Sequence, residues 1–411
     1  MTVLTPELLV REAVECLYPI FRGVDGLVQQ NLARVLAALR QHRVGSHHFA
    51  DVSGYGHDDL GRQVLDGVFA TLFGAEAAIA RVQLVSGTHA IACCLYGNLR
   101  PGDELLSIVG APYDTLEEVI GVRPAAGSLR EWGVSYRELP LAEAGTLDWE
   151  GLATAVRPET RMVLIQRSCG YGWRESLAVA EIGRAIAIVK QQNPHTICFV
   201  DNCYGELVEP EEPTHYGADL VAGSLIKNLG GTIAPTGGYI AGKADYVAAA
   251  AARLTAPGIG ASGGTTFGVR RLLVQGLFLA PQMVGEAIKS SHLAAYVGDR
   301  LGYRVQPGPF APRRDVIQAI RLGSPEKLQQ WCRHLQRYSP VDSYVDPVPA
   351  AMPGYDSDLI MAGGTFVDGS TSELSADGPL REPYILFLQG GTHWTHLALA
   401  LAAMPPEVLY P

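Results

Sequence analysis

The stretch "DLVAGSLIKNLGG", residues 219–231, predicts a buried strand with a lysine just beyond its end. Lys227 has Ser224 three residues before it and the pair Gly230-Gly231 shortly after it. Open α/β sheets bind ligands at the carboxyl ends of their strands. A lysine partly desolvated there has a lowered pKa and can form a Schiff base, and glycines let the backbone approach a bulky ligand. An ordinary surface lysine is the alternative, and one short motif does not decide between them.

Runs of the same kind recur along the chain and predict the fold class. The strand candidates are residues 80–85, 103–109, 133–139, 161–166, 196–201, 219–224 and 237–242. Between the fourth and fifth of them, "EIGRAIAIVKQQNP" (181–194) spaces its apolar residues as one face of a helix. Continuously apolar strands that alternate with such helices predict an α/β fold with a mostly parallel sheet covered by helices on both faces.

The length of 411 residues predicts two or three domains. The first forty residues have helical periodicity, with Thr5 as N-cap and Pro6 at the first helical position, and residues 45–62 predict a long loop. Beyond residue 285 the sequence becomes more irregular, with strand candidates at 312–323 and 383–391. We therefore predict N-terminal helices and a loop over 1–63, a large domain over 64–285 and a smaller α+β domain over 286–411.

Composition excludes several classes of function. The formal net charge of −10 argues against a nucleic-acid partner, which requires a basic surface. Seven cysteines without a C-x-x-C pair indicate neither a disulfide framework nor a zinc ribbon. The first residues lack a signal-peptide pattern, and the most apolar runs are too short to span a bilayer. The chain is predicted to be soluble, cytoplasmic and free of membrane contacts.

Three further motifs follow predicted strands. Asp201 ends "TICFVD"; it is either a turn residue or a carboxylate that keeps a pyridinium nitrogen protonated. Ser86, Gly87 and Thr88 lie between a strand and an apolar helix, which suits a phosphate site at a helix N-terminus or a plain N-cap. Tyr113 in "GAPYDTL" is either a core aromatic or a residue that stacks on a flat ring.

Two other motifs carry less weight. "GIGASG" (258–263) matches G-x-G-x-x-G but follows Pro257 and a helical run, so a Rossmann-type nucleotide site is a remote alternative. The loop with His47, His48 and His57 has no standard zinc spacing, and no metal is predicted.

The order of these motifs resembles the fold-type I enzymes that use pyridoxal 5′-phosphate (PLP), in their cysteine and methionine metabolism branch. The likeness is closest to the aluminium-resistance or methionine gamma-lyase-like family, and it covers most of the chain. It is carried by "GYGHDDLGR", "SGTHAI", "GAPYDTL", "DNCYGE", "KNLGGTIAPTGGYIAG" and "REPYILFLQGG". The fold implied is a large domain with a mostly parallel seven-stranded sheet covered by helices, plus a smaller α+β C-terminal domain.

The resemblance also implies roles for individual residues. Lys227 would bind PLP as a Schiff base and remove the Cα proton, Asp201 would pair with the ring nitrogen, and Tyr113 would stack on the ring and protonate the leaving sulfur. The phosphate would be held by the backbone of Ser86, Gly87 and Thr88 and by the Ser224 hydroxyl.

Other implied roles involve a neighbouring subunit and the substrate. Tyr55 and Arg62 would reach the phosphate of a neighbouring subunit in a homodimer or homotetramer. Arg381 would bind the substrate α-carboxylate. The segments 168–174 and 392–396 depart from the family pattern and are expected on the substrate side, with Cys169 as a bystander.

The expected function is that of a carbon–sulfur lyase. It would perform β- or γ-elimination on a sulfur-containing amino acid of the methionine, cystathionine or cysteine type. An aminotransferase would use the same lysine and aspartate, and a PLP-binding protein with a regulatory or stress role is the alternative outside enzymes.

Overall fold

The centre of the fold is a seven-stranded sheet. The computed structural model describes residues 5–143 and 145–411 of the chain. The strands of this large sheet are β1 (Ala77–Arg81), β2 (Glu104–Ser107), β3 (Ser135–Glu138), β4 (Thr160–Gln166), β5 (Ile197–Asp201), β6 (Leu220–Ser224) and β7 (Gly238–Gly242). Their order is β1-β7-β6-β5-β4-β2-β3, and only β7 runs antiparallel to its neighbours in the sheet as described. The predicted mostly parallel sheet is confirmed.

Helices cover both faces of the large sheet. They are α1 (Pro6–Gln41), α2 (Leu60–Leu72), α3 (Gly87–Asn98), α4 (Asp114–Ile120), α5 (Trp149–Ala155), α6 (Val179–Gln192), α7 (Ala244–Leu254) and α8 (Arg270–Arg300). In β4, Val163 and Ile165 pack in one apolar cluster with α6, whereas Met162 and Leu164 pack in another with α3 and α7. Alternate residues of a strand point to opposite faces, so a strand buried on both faces is apolar throughout.

The first predicted strand is displaced in the structure. Residues 80–85 were predicted, but β1 ends at Arg81 and the chain then turns towards α3. Val82 and Leu84 are buried in this turn, so the apolar run continues beyond the strand. Burial alone cannot distinguish a strand from a buried turn, which is why the prediction was wrong there.

The C-terminal part forms a second, antiparallel sheet. Its elements are β8 (Arg304–Gln306), β9 (Gln318–Arg321), α9 (Pro325–Arg337), β10 (Leu359–Ala362), β11 (Ser375–Pro379), β12 (Ile385–Gln389), α10 (Trp394–Ala402) and α11 (Pro406–Leu409). The strand order is β10-β11-β12-β9-β8. One apolar cluster joins this small sheet to α9, α10 and the first half of α1.

Two long helices connect the parts of the molecule. Helix α8 is continuous across residues 285 and 286, where the domain limit was predicted, and α1 packs along it. The predicted loop over 45–62 contains a short 3-10 turn, Ser46–Phe49, and the start of α2. The predicted domain limits themselves stay a prediction. Among the described residues, no helix is long and apolar enough to cross a membrane.

Candidate active site

A cavity of about 240 Å³ lies where the carboxyl ends of β4, β5 and β6 face the small sheet. Parallel strands end at one edge of a sheet, so residues far apart in the chain meet there. The described residues lining this central cavity include seven that the sequence singled out: Ser86, Gly87, Thr88, Tyr113, Asp201, Ser224 and Lys227.

Lys227 follows β6 and is held against an aromatic ring. Its Nζ lies 3.6 Å from the centre of the Tyr204 ring, a cation–π distance. Burial lowers the pKa of Lys227, but the neighbouring Tyr204, Cys203 and Asp201 raise it, and the net pKa lies above the ordinary value. This direction is opposite to the lowered pKa that the sequence suggested, because the side chains of Tyr204, Cys203 and Asp201 favour the charged amine more than burial disfavours it.

Asp201 is the last residue of β5 and is buried in the wall of the cavity. One carboxylate oxygen accepts a hydrogen bond from the backbone N–H of Cys203 at 3.1 Å. Burial raises the pKa of Asp201, whereas the Cys203 N–H and Lys227 act in the opposite direction. A buried carboxylate favours a cationic partner, and a protonated ring nitrogen would serve as one.

The N-terminus of α3 forms another part of the wall. The Ser86 hydroxyl accepts a hydrogen bond from the His89 N–H at 3.0 Å, so its side chain is the N-cap of the helix. The first N–H groups of a helix lack intrahelical partners, and the helix dipole favours an anion beside them. A Cβ atom on Gly87 would lie 3.0 Å from the Cys203 sulfur, so only glycine fits there without crowding.

Four tyrosines enclose the cavity. The hydroxyls of Tyr113 and Tyr355 are 2.8 Å apart, and Tyr171 and Tyr204 complete the set. Burial raises the pKa of Tyr113 well above its ordinary range, so its phenol stays protonated. Gly170 has a φ of +56°, and a Cβ there would lie 2.8 Å from the Tyr113 ring. Tyr171, Tyr204 and Tyr355 were not predicted, although Tyr204 lies inside the quoted "DNCYGE".

The small sheet supplies a side of the cavity that sequence reasoning missed. This C-terminal wall includes Ser375, Asp377 and Gln389 of the small sheet and Ser370 of the segment before β11. Burial raises the pKa of Asp377 to about 7, although Tyr171 and Lys227 lower it. The available signal was the polar sequence "ELSADGP" (373–379), because β11 within it is buried throughout.

Two residues predicted to reach another subunit differ in their surroundings. Tyr55 is 81% exposed, stacks on His57 and does not line the central cavity of its own chain as described. Arg62, in contrast, is buried and donates to the carbonyl oxygens of Gly56, Ser262 and Gly264 at 2.7–2.8 Å. The Arg62 guanidinium is thus engaged within its own chain, and its expected contact with the phosphate of a neighbouring subunit stays a prediction.

Arg381 lies in a second cavity of about 360 Å³, whose wall shares Tyr113, Gln166 and Tyr171 with the first. Its guanidinium lies 3.2 Å from Asp356 and 3.7 Å from Asp114. The structure therefore does not bring Arg381 among the seven residues of the central cavity. Its predicted role at the substrate carboxylate stays a prediction.

The two segments that depart from the family pattern, 168–174 and 392–396, have different positions. Ser168, Gly170 and Tyr171 of segment 168–174 line the central cavity, whereas Cys169 lines the second one, where burial raises its pKa to about 12. Segment 392–396 lines neither cavity as described, so its predicted position on the substrate side is corrected. The His393 side chain is the N-cap of α10, and the His396 ring nitrogen lies 2.6 Å from the carbonyl oxygen of Tyr338.

The glycines after the lysine also have a structural role. A Cβ atom on Gly230 would lie 2.3 Å from the Leu225 carbonyl oxygen, and one on Gly231 would lie 2.3 Å from that of Gly276. These glycines permit close packing of the chain onto α8 and do not line the central cavity in its described wall. Among residues 5–143 and 145–411, no group of three or more His, Cys, Asp or Glu is arranged to hold a metal ion.

The fold is that of the fold-type I PLP-dependent enzymes. CalE6, a methionine gamma-lyase from Micromonospora echinospora, superposes on 85% of this chain and 86% of its own with a TM-score of 0.56 at 19% identity, which establishes the fold alone. The family model described as methionine gamma-lyase matches residues 7–408. The chain belongs to the methionine gamma-lyase family.

Several relatives match nearly the whole chain. YnbB, an uncharacterised protein of Bacillus subtilis (strain 168), is 45% identical over 97% of this chain and 96% of its own length. A protein from Clostridium novyi NT, described as a carbon-sulfur lyase involved in aluminium resistance, has a TM-score of 0.91 and 43% identity, covering 96% of this chain and 94% of its own. A Listeria monocytogenes protein is provisionally described as a cystathionine beta-lyase involved in aluminium resistance. It has a TM-score of 0.93 and 45% identity, covering 96% of this chain and 97% of its own.

Proposed function

We propose that this protein is a PLP-dependent carbon–sulfur lyase that performs β- or γ-elimination on a sulfur-containing amino acid of the methionine, cystathionine or cysteine type. The observation that carries the proposal is the meeting of Lys227, Asp201 and the Ser86–Thr88 turn in one cavity of this fold. The description of the Clostridium novyi relative as a carbon-sulfur lyase supports the same reaction type.

The residues of the cavity fit PLP in charge and in hydrogen-bonding groups. Lys227 provides an amine, Asp201 a buried carboxylate for the ring nitrogen, and the start of α3 an anion site for the phosphate. Gln166 lies in the same wall, and its side-chain oxygen is buried without a hydrogen-bond partner among the described residues. A hydroxyl of the cofactor would satisfy that acceptor, since an unpaired buried polar atom is costly.

The chain's own residues would divide the work of elimination. PLP supplies an electron sink for the negative charge that develops when the Cα proton is lost. Lys227 would take that proton as general base, and Asp201 would keep its carboxylate opposite the positive ring nitrogen. Tyr113, held protonated by burial, would donate its proton to the departing sulfur. Hydrolysis with one water would then release ammonia and a 2-oxo acid beside the thiol.

We also propose a cytoplasmic homodimer or homotetramer in which Tyr55 reaches the phosphate site of a second subunit. The exposure of Tyr55 and its position outside the central cavity of its own chain support this arrangement. Val85, immediately before the Ser86–Thr88 turn, is also exposed, so apolar surface lies beside the proposed phosphate site. The proposed domains remain 1–63, 64–285 and 286–411.

The experiment that tests the function has two stages. The purified protein is reduced with borohydride, and its peptides are mapped for a cofactor adduct on Lys227, with Lys227→Ala as the control. Methionine, cystathionine and cysteine are then supplied singly, and thiol, ammonia and 2-oxo acid are measured. Release from one amino acid alone supports the lyase, whereas turnover only with an added 2-oxo acid identifies an aminotransferase. A protein that takes up no PLP overturns the proposal.

A further inference from the structure

The C-terminal wall of the central cavity contains two buried polar side chains that the proposed reaction does not use. Asp377 is 8% exposed and lies on β11, and Ser370 is 1% exposed and precedes that strand. The Ser370 hydroxyl has no hydrogen-bond partner among the described residues. Both line the same cavity as Lys227. Buried polar groups of this kind are costly unless a ligand satisfies them.

The charges in the cavity are unbalanced. Among the described residues that line it, Lys227 is the only one with a cationic side chain, whereas Asp201, Asp368 and Asp377 are acidic. PLP would engage Lys227 through its amine and Asp201 through its ring nitrogen. Asp377 accepts a hydrogen bond from Tyr171 and is attracted by Lys227. Once Lys227 engages the cofactor, the described wall offers Asp377 no second cationic side chain, and a buried carboxylate is most favourable beside a cation. The missing cation is therefore best supplied by the substrate.

We propose that Asp377 and Ser370 form a recognition site for an ammonium group at the far end of the substrate side chain. This inference rests on the proposed function. It narrows the substrate class to thioether amino acids in which the departing thiol itself carries an amine. The Asp377 carboxylate accepts a charge-assisted hydrogen bond from the ammonium, and the Ser370 hydroxyl offers a second acceptor. Thioethers with an uncharged alkyl group on sulfur leave the Ser370 hydroxyl unpaired and give Asp377 no cation beyond its Tyr171 hydrogen bond, so they bind more weakly.

The position of Asp377 also separates this role from that of the cofactor-binding residues. Asp201 ends β5 and Lys227 follows β6 of the large sheet, whereas Asp377 lies on β11 of the small sheet on the opposite side of the cavity. A cation that lies near Asp377 stabilises its ionised form, and so binding of an ammonium group would shift this carboxyl from partly protonated to ionised.

The test uses two ligand pairs that differ only in the distal charge. L-lysine and L-2-aminoheptanoate have side chains of equal length and contain no sulfur, so their dissociation constants for the PLP-loaded protein measure recognition without cleavage. S-(2-aminoethyl)-L-cysteine and S-propyl-L-cysteine are the corresponding cleavable pair, compared by thiol and 2-oxo acid release. Binding is followed by the change in visible absorbance at pH 8, where Asp377 is ionised.

The expected result is a preference for the charged member of each pair of about 10-fold or more, the scale of one hydrogen bond to a charged group. Asp377→Asn is expected to reduce this preference to within about twofold, chiefly through weaker binding of the charged ligand. Asp377→Glu, which retains the charge, is expected to retain a preference, and it also controls for folding. Asp368→Asn removes the same charge at an exposed position and is expected to change the preference by less than about threefold, because solvent screens it.

Equal binding of lysine and aminoheptanoate by the unchanged protein overturns the inference, as does a preference that survives in Asp377→Asn. Equal losses for charged and neutral thioethers in Asp377→Asn would instead indicate that Asp377 acts in the chemistry, and this too overturns it. If lysine is preferred but neither thioether is cleaved, the recognition site stands and the proposed lyase function fails. Cleavage of both thioethers at equal kcat/KM leaves the lyase intact and overturns the recognition site.

Discussion

The amine nitrogen of Lys227 lies 3.6 Å from the centre of the Tyr204 ring. Tyr204 is three residues after Asp201, the aspartate that ends β5. Two strand ends are coupled by this contact, since Lys227 follows β6 and Tyr204 follows β5. Burial raises the pKa of Tyr204 to about 12, so its ring is neutral at physiological pH and acts as a cation–π partner. The ring thereby orients the amine that the proposed function requires.

Removing the Tyr204 ring is expected to weaken cofactor retention. Tyr204→Ala loses the cation–π contact, which amounts to about 0.5–2 kcal/mol, or roughly 2- to 30-fold in an equilibrium constant. Tyr204→Phe keeps the ring and should retain PLP within about threefold of the unchanged protein. Dialysis followed by measurement of bound PLP distinguishes the variants. Equal loss of PLP from Tyr204→Ala and Tyr204→Phe would show that the Tyr204 hydroxyl, and not its ring, retains the cofactor.

Replacing Asp201 should separate cofactor binding from catalysis. Asp201→Asn preserves the size of the side chain but removes the negative charge opposite the ring nitrogen. We expect a fall in kcat of about 10²- to 10³-fold, the scale of losing one preorganised electrostatic partner, while PLP stays bound. Steady-state thiol release gives kcat, and absorbance gives cofactor content. Unchanged kcat in a cofactor-loaded variant would exclude a role for Asp201 at the ring nitrogen.

A methyl group at Gly87 should affect the cofactor more than the fold. Gly87 is the first residue of α3, where alanine is tolerated, but its Cβ would lie 3.0 Å from the Cys203 sulfur. We expect Gly87→Ala to raise the PLP dissociation constant by about 10-fold, roughly 1.4 kcal/mol, because the phosphate turn must shift. The double variant with Cys203→Ala should bind PLP more tightly than Gly87→Ala alone. If Gly87→Ala and the double variant bind PLP equally, crowding by Cys203 is not the cause of the weaker binding.

Asp377 should make stability depend on pH. Its folded-state pKa is raised from 3.8 to about 7, so between these values the folded state holds a proton that the unfolded state has lost. Stability therefore falls as pH rises through this window, and the penalty is complete above pH 7. Asp377→Asn should raise the free energy of unfolding at pH 8 by on the order of 2–4 kcal/mol, and Tm should rise with it. At pH 4 the substitution should change Tm very little. The exposed Asp342→Asn is the control. A pH-independent effect would contradict the raised pKa.

A shared active site predicts complementation between two inactive variants. Lys227→Ala destroys its own site, and Tyr55→Ala would damage the site of the neighbouring subunit. Random mixing of dimers should restore about a quarter of the activity of the unchanged protein, because half of the dimers carry one intact site of two. Activity is compared before and after the two variants are unfolded and refolded together. No recovery despite verified mixed dimers would place Tyr55 in the site of its own chain.

The half of the site on the large sheet could be predicted because each residue lies in a short motif at a strand end. Asp201 ends β5, and Ser224 ends β6 with Lys227 three residues later. Parallel strands bring their carboxyl ends together, so separate motifs become neighbours without knowledge of the side-chain packing. The raised pKa of Lys227 could not be predicted in this way, because it depends on the summed effects of Tyr204, Cys203 and Asp201 in space.

The remaining differences all depend on packing between distant segments. Arg62 appeared free to reach another subunit, but its guanidinium binds carbonyl oxygens about 200 residues further along the chain. Gly230 and Gly231 appeared suited to a bulky ligand, but they contact the backbone of their own chain. For Arg62 and Gly231 a contact partner lies far along the chain, so the local motif that contains the residue could not reveal it.

The sequence by itself determined the α/β fold, the mostly parallel sheet and the residues at its carboxyl edge, because hydrophobic periodicity and strand ends are local properties of the chain. Only the tertiary structure decided which side chains close the cavity from the opposite side. Asp377 and Ser370 lie more than 140 residues from Lys227 and contribute to its cavity only because the small sheet packs opposite the large one. Burial and charge depend on such long-range contacts, which is why the raised pKa of Asp377 has no local sequence signature.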